Sequence, residues 1–208
     1  RGQSDFSTKI GSPSKIKPAL PETALPLWPK RLSEVSTATQ SFGHGISVTP
    51  MHTAAATLPL VNGGKAVPIT FFMRSREEAA QLAAQILRPD TSEKMKYLFK
   101  LNAEKGSGKR ADVPGYRVGG KTGTAEKIEN GRYSGNKRFN SYLSAFPIDD
   151  PKYVVLVVLD EPKPEKEVGA ATAGLNAAPT VAAIVKRIAP MLNVAPRFDI
   201  TPSAMASN

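Results

Sequence analysis

Gly119-Gly-Lys-Thr-Gly-Thr124 gathers one ammonium group and two hydroxyls among three glycines. A lysine fixed on a strand beside a cleft can hold a carboxylate or hydrogen-bond a nucleophilic hydroxyl. Neutral threonine hydroxyls can bind a carboxylate, and a strand-edge N–H can serve an oxyanion. Side chains alternate along a strand, so Lys121 and Gly123 face one side and Thr122 and Thr124 the other, unless twist or a bulge re-aims them. As three letters Lys-Thr-Gly is weak, since chance supplies it in about one chain in twenty of this length. The same residues also read as a surface lysine on a glycine-rich strand.

Other groups offer less. His44 lies between two glycines, where shaping the backbone or a structural hydrogen bond outweighs a catalytic role, and His52 is expected partly exposed or at the edge of a core. Two histidines and no cysteine leave no basis for a zinc site, and no metal or other cofactor is assigned. Asp149 and Asp150 form a carboxylate pair, but in a Pro-bounded turn side chain to backbone bonding is expected of them.

The 208 residues suffice for one domain with a sizeable core, and 40% hydrophobic content predicts a folded protein. The net charge of +10 favours anionic partners or else is a solvated basic surface. Aromatic residues make up 7%, which argues against a base-stacking platform, so no nucleic-acid partner is expected. The local cluster Lys127, Arg132, Lys137 and Arg138 includes Gly131, Ser134, Gly135 and Asn136 and reads as a mobile hairpin loop. No apolar run approaches membrane-spanning length. Arg1 is not a natural first residue, which predicts a piece of a longer protein.

Three segments follow: a proline-rich loop segment over 1–30, a domain over 31–193 and a polar tail over 194–208. Thr49-Pro50 starts a helix on which Met51, Ala54, Ala55 and Leu58 share a face, with Pro59 predicting a kink or an early stop. Pro68–Met73 reads as a strand. Ser75 caps a short helix to about Ala83, and Gln85–Arg88 reads as a small strand. Thr91 or Ser92 caps a longer helix that stops at Gly106. Tyr116–Ala125, Phe139–Phe146 and Tyr153–Asp160 read as strands, the last two antiparallel across Pro147–Pro151. The unbroken apolar run Val154–Leu159 predicts a strand in the sheet centre. A last helix covers Asn176 to about Asn193, with Ala183, Ile184, Arg187, Ile188 and Met191 at helical spacing. The fold class is α+β, an antiparallel sheet flanked by helices.

Three longer stretches then carry a resemblance. They are Thr39-Gln-Ser-Phe-Gly-His-Gly-Ile-Ser-Val-Thr-Pro50, Pro114-Gly-Tyr-Arg-Val-Gly-Gly-Lys-Thr-Gly-Thr-Ala-Glu-Lys127, and Leu143-Ser-Ala-Phe-Pro-Ile-Asp-Asp-Pro-Lys-Tyr-Val-Val155 with Asp160-Glu-Pro-Lys163. In order and spacing they resemble class B penicillin-binding proteins of the cell-division type, over roughly residues 28–193. The resemblance implies the penicillin-binding transpeptidase and serine β-lactamase-like fold, incomplete in this chain, and peptidoglycan D,D-transpeptidation by serine acyl transfer. It assigns Lys121 to the proton network of the serine and to attraction of the substrate carboxylate. Thr122 and Thr124 would line the cleft, the Thr124 hydroxyl binding the terminal carboxylate of D-Ala-D-Ala or of a β-lactam and its N–H forming half of the oxyanion hole. Gly123 would let substrate lie against the strand. The implied location is the periplasmic face of the bacterial inner membrane, with division proteins as possible partners.

The chain departs from the family in one respect. The family needs Ser-x-x-Lys and then Ser-x-Asn, both before Lys-Thr-Gly. Ser12-Pro-Ser-Lys15 fits the first by letter, but prolines surround it and no apolar helical pattern follows. Ser134-Gly-Asn136 fits the second but comes after Lys-Thr-Gly. Both motifs are therefore expected before Arg1, on the N-terminal remainder of the same protein, and this chain alone is expected to be inactive and unstable. A D,D-carboxypeptidase or β-lactam sensor of the same fold, and a non-catalytic module that binds peptidoglycan or a partner, are the alternatives.

Overall fold

The computed structural model describes residues 2–10, 16, 22–29, 33–164 and 169–198. It divides into two compact units, Arg1–Ser92 and Glu93–Asn208. Ser12-Pro-Ser-Lys15 lies outside the described residues.

In the first unit, Gly2–Lys9 forms a helix (α1) where a loop is expected. Glu34–Gln40 (α2) starts on a capping box between Ser33 and Ser36. Pro50–Val61 (α3) starts as the sequence requires, the Thr49 hydroxyl accepting from the His52 N–H and Pro50 occupying the first turn. The helix continues through Pro59 and ends at Asn62. A proline this near the C-terminal end removes only one backbone donor. The buried residues of α3 are His52, Thr57, Pro59 and Val61, not the expected apolar stripe, and His52 is buried rather than at a core edge. Pro68–Met73 is not a strand. Instead Lys65–Ala66 (β1) pairs with Ala84–Gln85 (β2) in a two-residue ladder, so Gln85–Arg88 contributes only its first residue. Arg76–Leu82 (α4) has the expected Ser75 cap, closed into a box by Glu78.

Pro89–Lys105 (α5) begins at Pro89, two residues before the expected Thr91 cap. Ser92 serves otherwise: fully buried, it accepts from the Gly63 N–H at 3.0 Å and donates to the Leu60 carbonyl at 3.0 Å.

The second unit carries the sheet. Gly119–Glu129 (β3), Arg132–Phe146 (β4) and Tyr153–Asp160 (β5) form an antiparallel sheet in the order β3-β4-β5. Both β3 and β4 run further than expected. Asn130 and Gly131 have φ of 50° and 77°, as a two-residue hairpin turn requires, so the ladder closes at Glu129↔Arg132. The basic cluster is therefore strand, not mobile loop, and much of its charge is used in pairs. Lys127 binds Glu161 at 2.7 Å and Asp160 at 2.9 Å, and Glu161 first, then Asp160, holds its ammonium above the ordinary lysine range. Lys137 pairs with Glu129. Ser134-Gly-Asn136 lies on β4.

Among the described residues β5 is an edge strand and β4 is central, the reverse of the expectation for Val154–Leu159. Most of β5 is half-buried, with Val157 the most buried position. Ala177–Met191 (α6) covers the sheet, capped by the Asn176 side chain, which accepts from the Ala177 N–H at 2.7 Å. Its buried face is Ala177, Ala178, Val181, Val185 and Ala189, packed with Val118, Tyr142, Phe146 and Val157. That face is rotated from the expected one; Ile184 and Ile188 sit only on its flank. Small residues line it because a helix packed closely on a sheet has no room for larger ones.

The Pro147–Pro151 turn is held by charge. Asp149 meets Arg117 at 3.0 Å and Arg197 at 2.8 Å, while Asp150 pairs with Lys152 at 2.7 Å. These are ion pairs rather than the expected backbone bonds. Arg117 holds φ 49°, a left-handed conformation that the Asp149 pair helps to retain. Residues 194–198 leave α6 and lie against this turn, the Arg197 N–H donating to the Gly115 carbonyl at 2.8 Å. Asp149→Ala removes the carboxylate that Arg117 and Arg197 share and is expected to cost about 2 kcal/mol, read as a lowered denaturation midpoint.

Tyr142, fully buried on β4, carries a hydroxyl with no partner among the described residues. Burial first, and Asp112 second, push its phenol above the ordinary range. The folded state thus keeps a proton that the unfolded chain releases above about pH 10. Stability from this residue is complete below that pH and falls as pH rises beyond it. Tyr142→Phe is expected to be neutral or stabilising by about 1 kcal/mol and to flatten the alkaline loss, checked by urea unfolding at pH 8 and pH 10.5.

Candidate active site

β3 is bonded on one side only, to β4, so its other edge lies open among the described residues. Two tight contacts fix the strand where the lysine emerges. The Asn102 amide on α5 donates to the Gly120 carbonyl at 2.7 Å. A side chain at Gly120 would collide with the Leu143 carbonyl oxygen and lie 2.8 Å from the Tyr142 ring. Only glycine allows β3 this close to β4 just before Lys121.

Lys121 is exposed, and its ammonium donates to the Thr122 carbonyl at 2.7 Å. No carboxylate pairs with it among the described residues. Lys96, Lys100, Lys127, Lys137 and Lys152 in the same unit do pair with carboxylates, whereas Lys105, Lys109 and Lys186, like Lys121, have none among the described residues. The Thr122 hydroxyl shares a 2.6 Å hydrogen bond with the Ser107 hydroxyl. The Thr124 hydroxyl accepts from the Ala173 N–H at 3.0 Å. A Cβ at Gly123 would meet the Ser141 hydroxyl at 2.6 Å, the cross-strand neighbour. The alternation read from the sequence thus separates the lysine from two hydroxyls that are each tied to a neighbouring loop.

Those loops were not legible as part of a site. Ser107 sits in Gly106-Ser-Gly108, which the sequence presents only as a connection, and Ala173 contributes backbone alone. Asn140 is fully buried on β4, directly across from Thr124. An asparagine inside the apolar run Phe139–Phe146 was the one signal available for it.

Clefts described elsewhere do not include these residues. One, with about 440 Å³ of open space, is lined by Tyr97, Leu101, Ile148 and the stems of Lys96, Lys100 and Arg117. No group of three or more His, Asp or Glu side chains that could hold a metal occurs among the described residues. None of their helices is long and apolar enough to cross a membrane.

The sheet, its covering helix and this lysine-bearing edge define a known class: residues 3–186 match the penicillin binding protein transpeptidase domain, and the chain belongs to that family. It is 36% identical over 97% of its length to a probable peptidoglycan D,D-transpeptidase FtsI of Caulobacter vibrioides. It is 37% identical over 81% of its length to the stage V sporulation protein D of Bacillus subtilis. The chain spans 36% and 27% of these two relatives. Among solved structures, the transpeptidase domain of Burkholderia pseudomallei penicillin-binding protein 3 superposes with a TM-score of 0.79 at 30% identity, over 95% of this chain and 59% of that one. The fold is thus the α+β penicillin-binding transpeptidase fold, an antiparallel sheet flanked by helices.

Proposed function

We propose that this chain forms the Lys-Thr-Gly wall of a peptidoglycan D,D-transpeptidase centre whose nucleophilic serine lies outside these 208 residues. The observation that carries this reading is the Lys121 ammonium, without a carboxylate partner among the described residues, on a strand edge that pairs with no other strand. An unpaired cation on a fixed strand is a receptor for an anion, and both the D-Ala-D-Ala terminus and a β-lactam carry a carboxylate. The open edge of β3 suits an extended peptide laid alongside it.

The serine oxygen attacks the carbonyl carbon of the penultimate D-Ala. The bond to the terminal D-Ala breaks, and that residue leaves with a proton on its amine. An amine of a second stem peptide then attacks the ester, forming the cross-link and returning the serine. Lys121 draws in the carboxylate and joins the proton network of the serine. Thr124 binds that carboxylate through its hydroxyl and supplies an oxyanion donor through its N–H, Thr122 lines the cleft, and Gly123 keeps the strand low beneath the substrate. The N-terminal remainder of the protein supplies the serine, the membrane anchor and the opposite wall. The site works on the periplasmic face, with division proteins as partners.

Fluorescent penicillin tests this in the full-length protein: covalent label that survives denaturation is expected. Absence of label would leave a binding module, and release of D-Ala without cross-linked product would leave a carboxypeptidase.

A further inference from the structure

We infer that Asn140 is a positioning residue that, through residues 171–176, turns the Thr124 hydroxyl proton outward toward the ligand carboxylate; the inference rests on the site reading above. Asn140 is fully buried in β4, where a polar side chain is costly; its amide nitrogen is paired, while its amide oxygen has no partner among the described residues. It stands opposite Thr124 in the ladder. Its amide nitrogen donates to the Ala171 carbonyl at 2.8 Å and to the Asn176 side-chain oxygen at 3.1 Å. A carbonyl can only accept, so the Ala171 contact fixes which end of the Asn140 amide faces it. The Asn176 oxygen is fixed likewise by accepting from the Ala177 N–H at the start of α6.

Asn140 therefore ties down both ends of residues 171–176, the strap that leads into α6. Within the strap, the Leu175 N–H donates to Thr172 at 3.0 Å, and the Ala178 N–H donates to the Ala173 carbonyl at 2.9 Å. Ala173 is thus held on both its backbone groups, and its N–H donates to the Thr124 hydroxyl oxygen at 3.0 Å. A backbone N–H has no alternative role, so the hydroxyl oxygen must accept here. Its own proton has no acceptor among the described residues, and Thr124 is exposed. What remains is a hydroxyl that offers a proton outward and welcomes an acceptor. A carboxylate oxygen fits that proton, and its charge makes the bond stronger than a neutral acceptor would.

Loss of the Asn140 amide frees the strap, and the Thr124 hydroxyl loses the fixed N–H that orients its proton outward. Acylation should then weaken selectively toward ligands bound through a carboxylate. The test uses full-length protein, benzylpenicillin and its methyl ester, and second-order acylation rates. Asn140→Ala is expected to slow the acid about tenfold and the ester less than about twofold, the loss of one charge-assisted hydrogen bond. Asn140→Thr, a strand-favouring residue too short to reach both acceptors, should show the same selectivity and serves if the alanine variant folds poorly. In unsubstituted protein the Ala173 amide should exchange slowly with deuterium.

An equal fall with both probes, no fall with either, or fast exchange at Ala173 would overturn the positioning role. Unchanged acylation of Lys121→Ala would instead defeat the site reading itself, and the role of Asn140 with it. Loss of acylation in Lys121→Ala with non-selective Asn140 variants would remove Asn140 alone.

Discussion

Lys121→Ala in the full-length protein is expected to abolish covalent labelling by penicillin, slowing acylation about a thousandfold or more while the thermal midpoint stays within about 2 °C. The size follows from two tasks on one group. The ammonium attracts the ligand carboxylate, and it holds a place in the proton network that the attacking serine must use. The small stability effect follows from its position. Lys121 is exposed, and its one bond, to the Thr122 carbonyl, joins neighbouring residues on an open edge. No buried carboxylate is stranded by its removal. Lys121→Arg keeps the charge but not the compact ammonium, and it should recover only a small part of the rate. Normal labelling of the alanine variant, with the fold intact, would show that the edge is not the reactive wall.

Gly120→Ala is expected to destabilise the fold by about 4 kcal/mol or more. The new Cβ would overlap the Leu143 carbonyl oxygen, lie 2.8 Å from the Tyr142 ring and lie 3.0 Å from the Ser144 Cα. Two of those neighbours are backbone in the centre of the sheet, so neither can turn aside. β3 must lift from β4 next to the Asn102 bond to the Gly120 carbonyl, which carries the disturbance into Lys121. Acylation should therefore fall together with the denaturation midpoint. Gly123→Ala is a useful contrast, because its Cβ meets only the Ser141 hydroxyl, which can rotate. A Gly120→Ala protein with an unchanged midpoint would show that β3 and β4 are not so closely packed.

Local signals carried much of the architecture. Thr49-Pro50, Ser75 with Glu78, and Asn176 opened helices where they stood, since a cap needs only its own turn. Tyr153–Asp160 was legible to the residue because a β-branched run between turns has few other uses. The Asn130-Gly131 turn was equally local but was overshadowed by the surrounding charge, which concealed that the strands continue. Pro68–Met73 failed for the opposite reason: its composition suits a strand, but a strand exists only with a partner.

Sequence alone determined the chemistry on offer, one lysine and two threonine hydroxyls alternating along a glycine-rich strand, because side-chain type and the two-residue period of a strand are properties of the chain itself. Tertiary structure decided what those groups can do. It placed β3 at an open edge, left the Lys121 ammonium without a carboxylate partner among the described residues, and brought Ser107 and Ala173 to the two hydroxyls, with Asn140 holding the strap that carries Ala173. Asn140 and Ala173 lie 16 and 49 residues from Thr124. Such contacts leave no period or motif in a single sequence, because the chain between them only has to return, not to announce where.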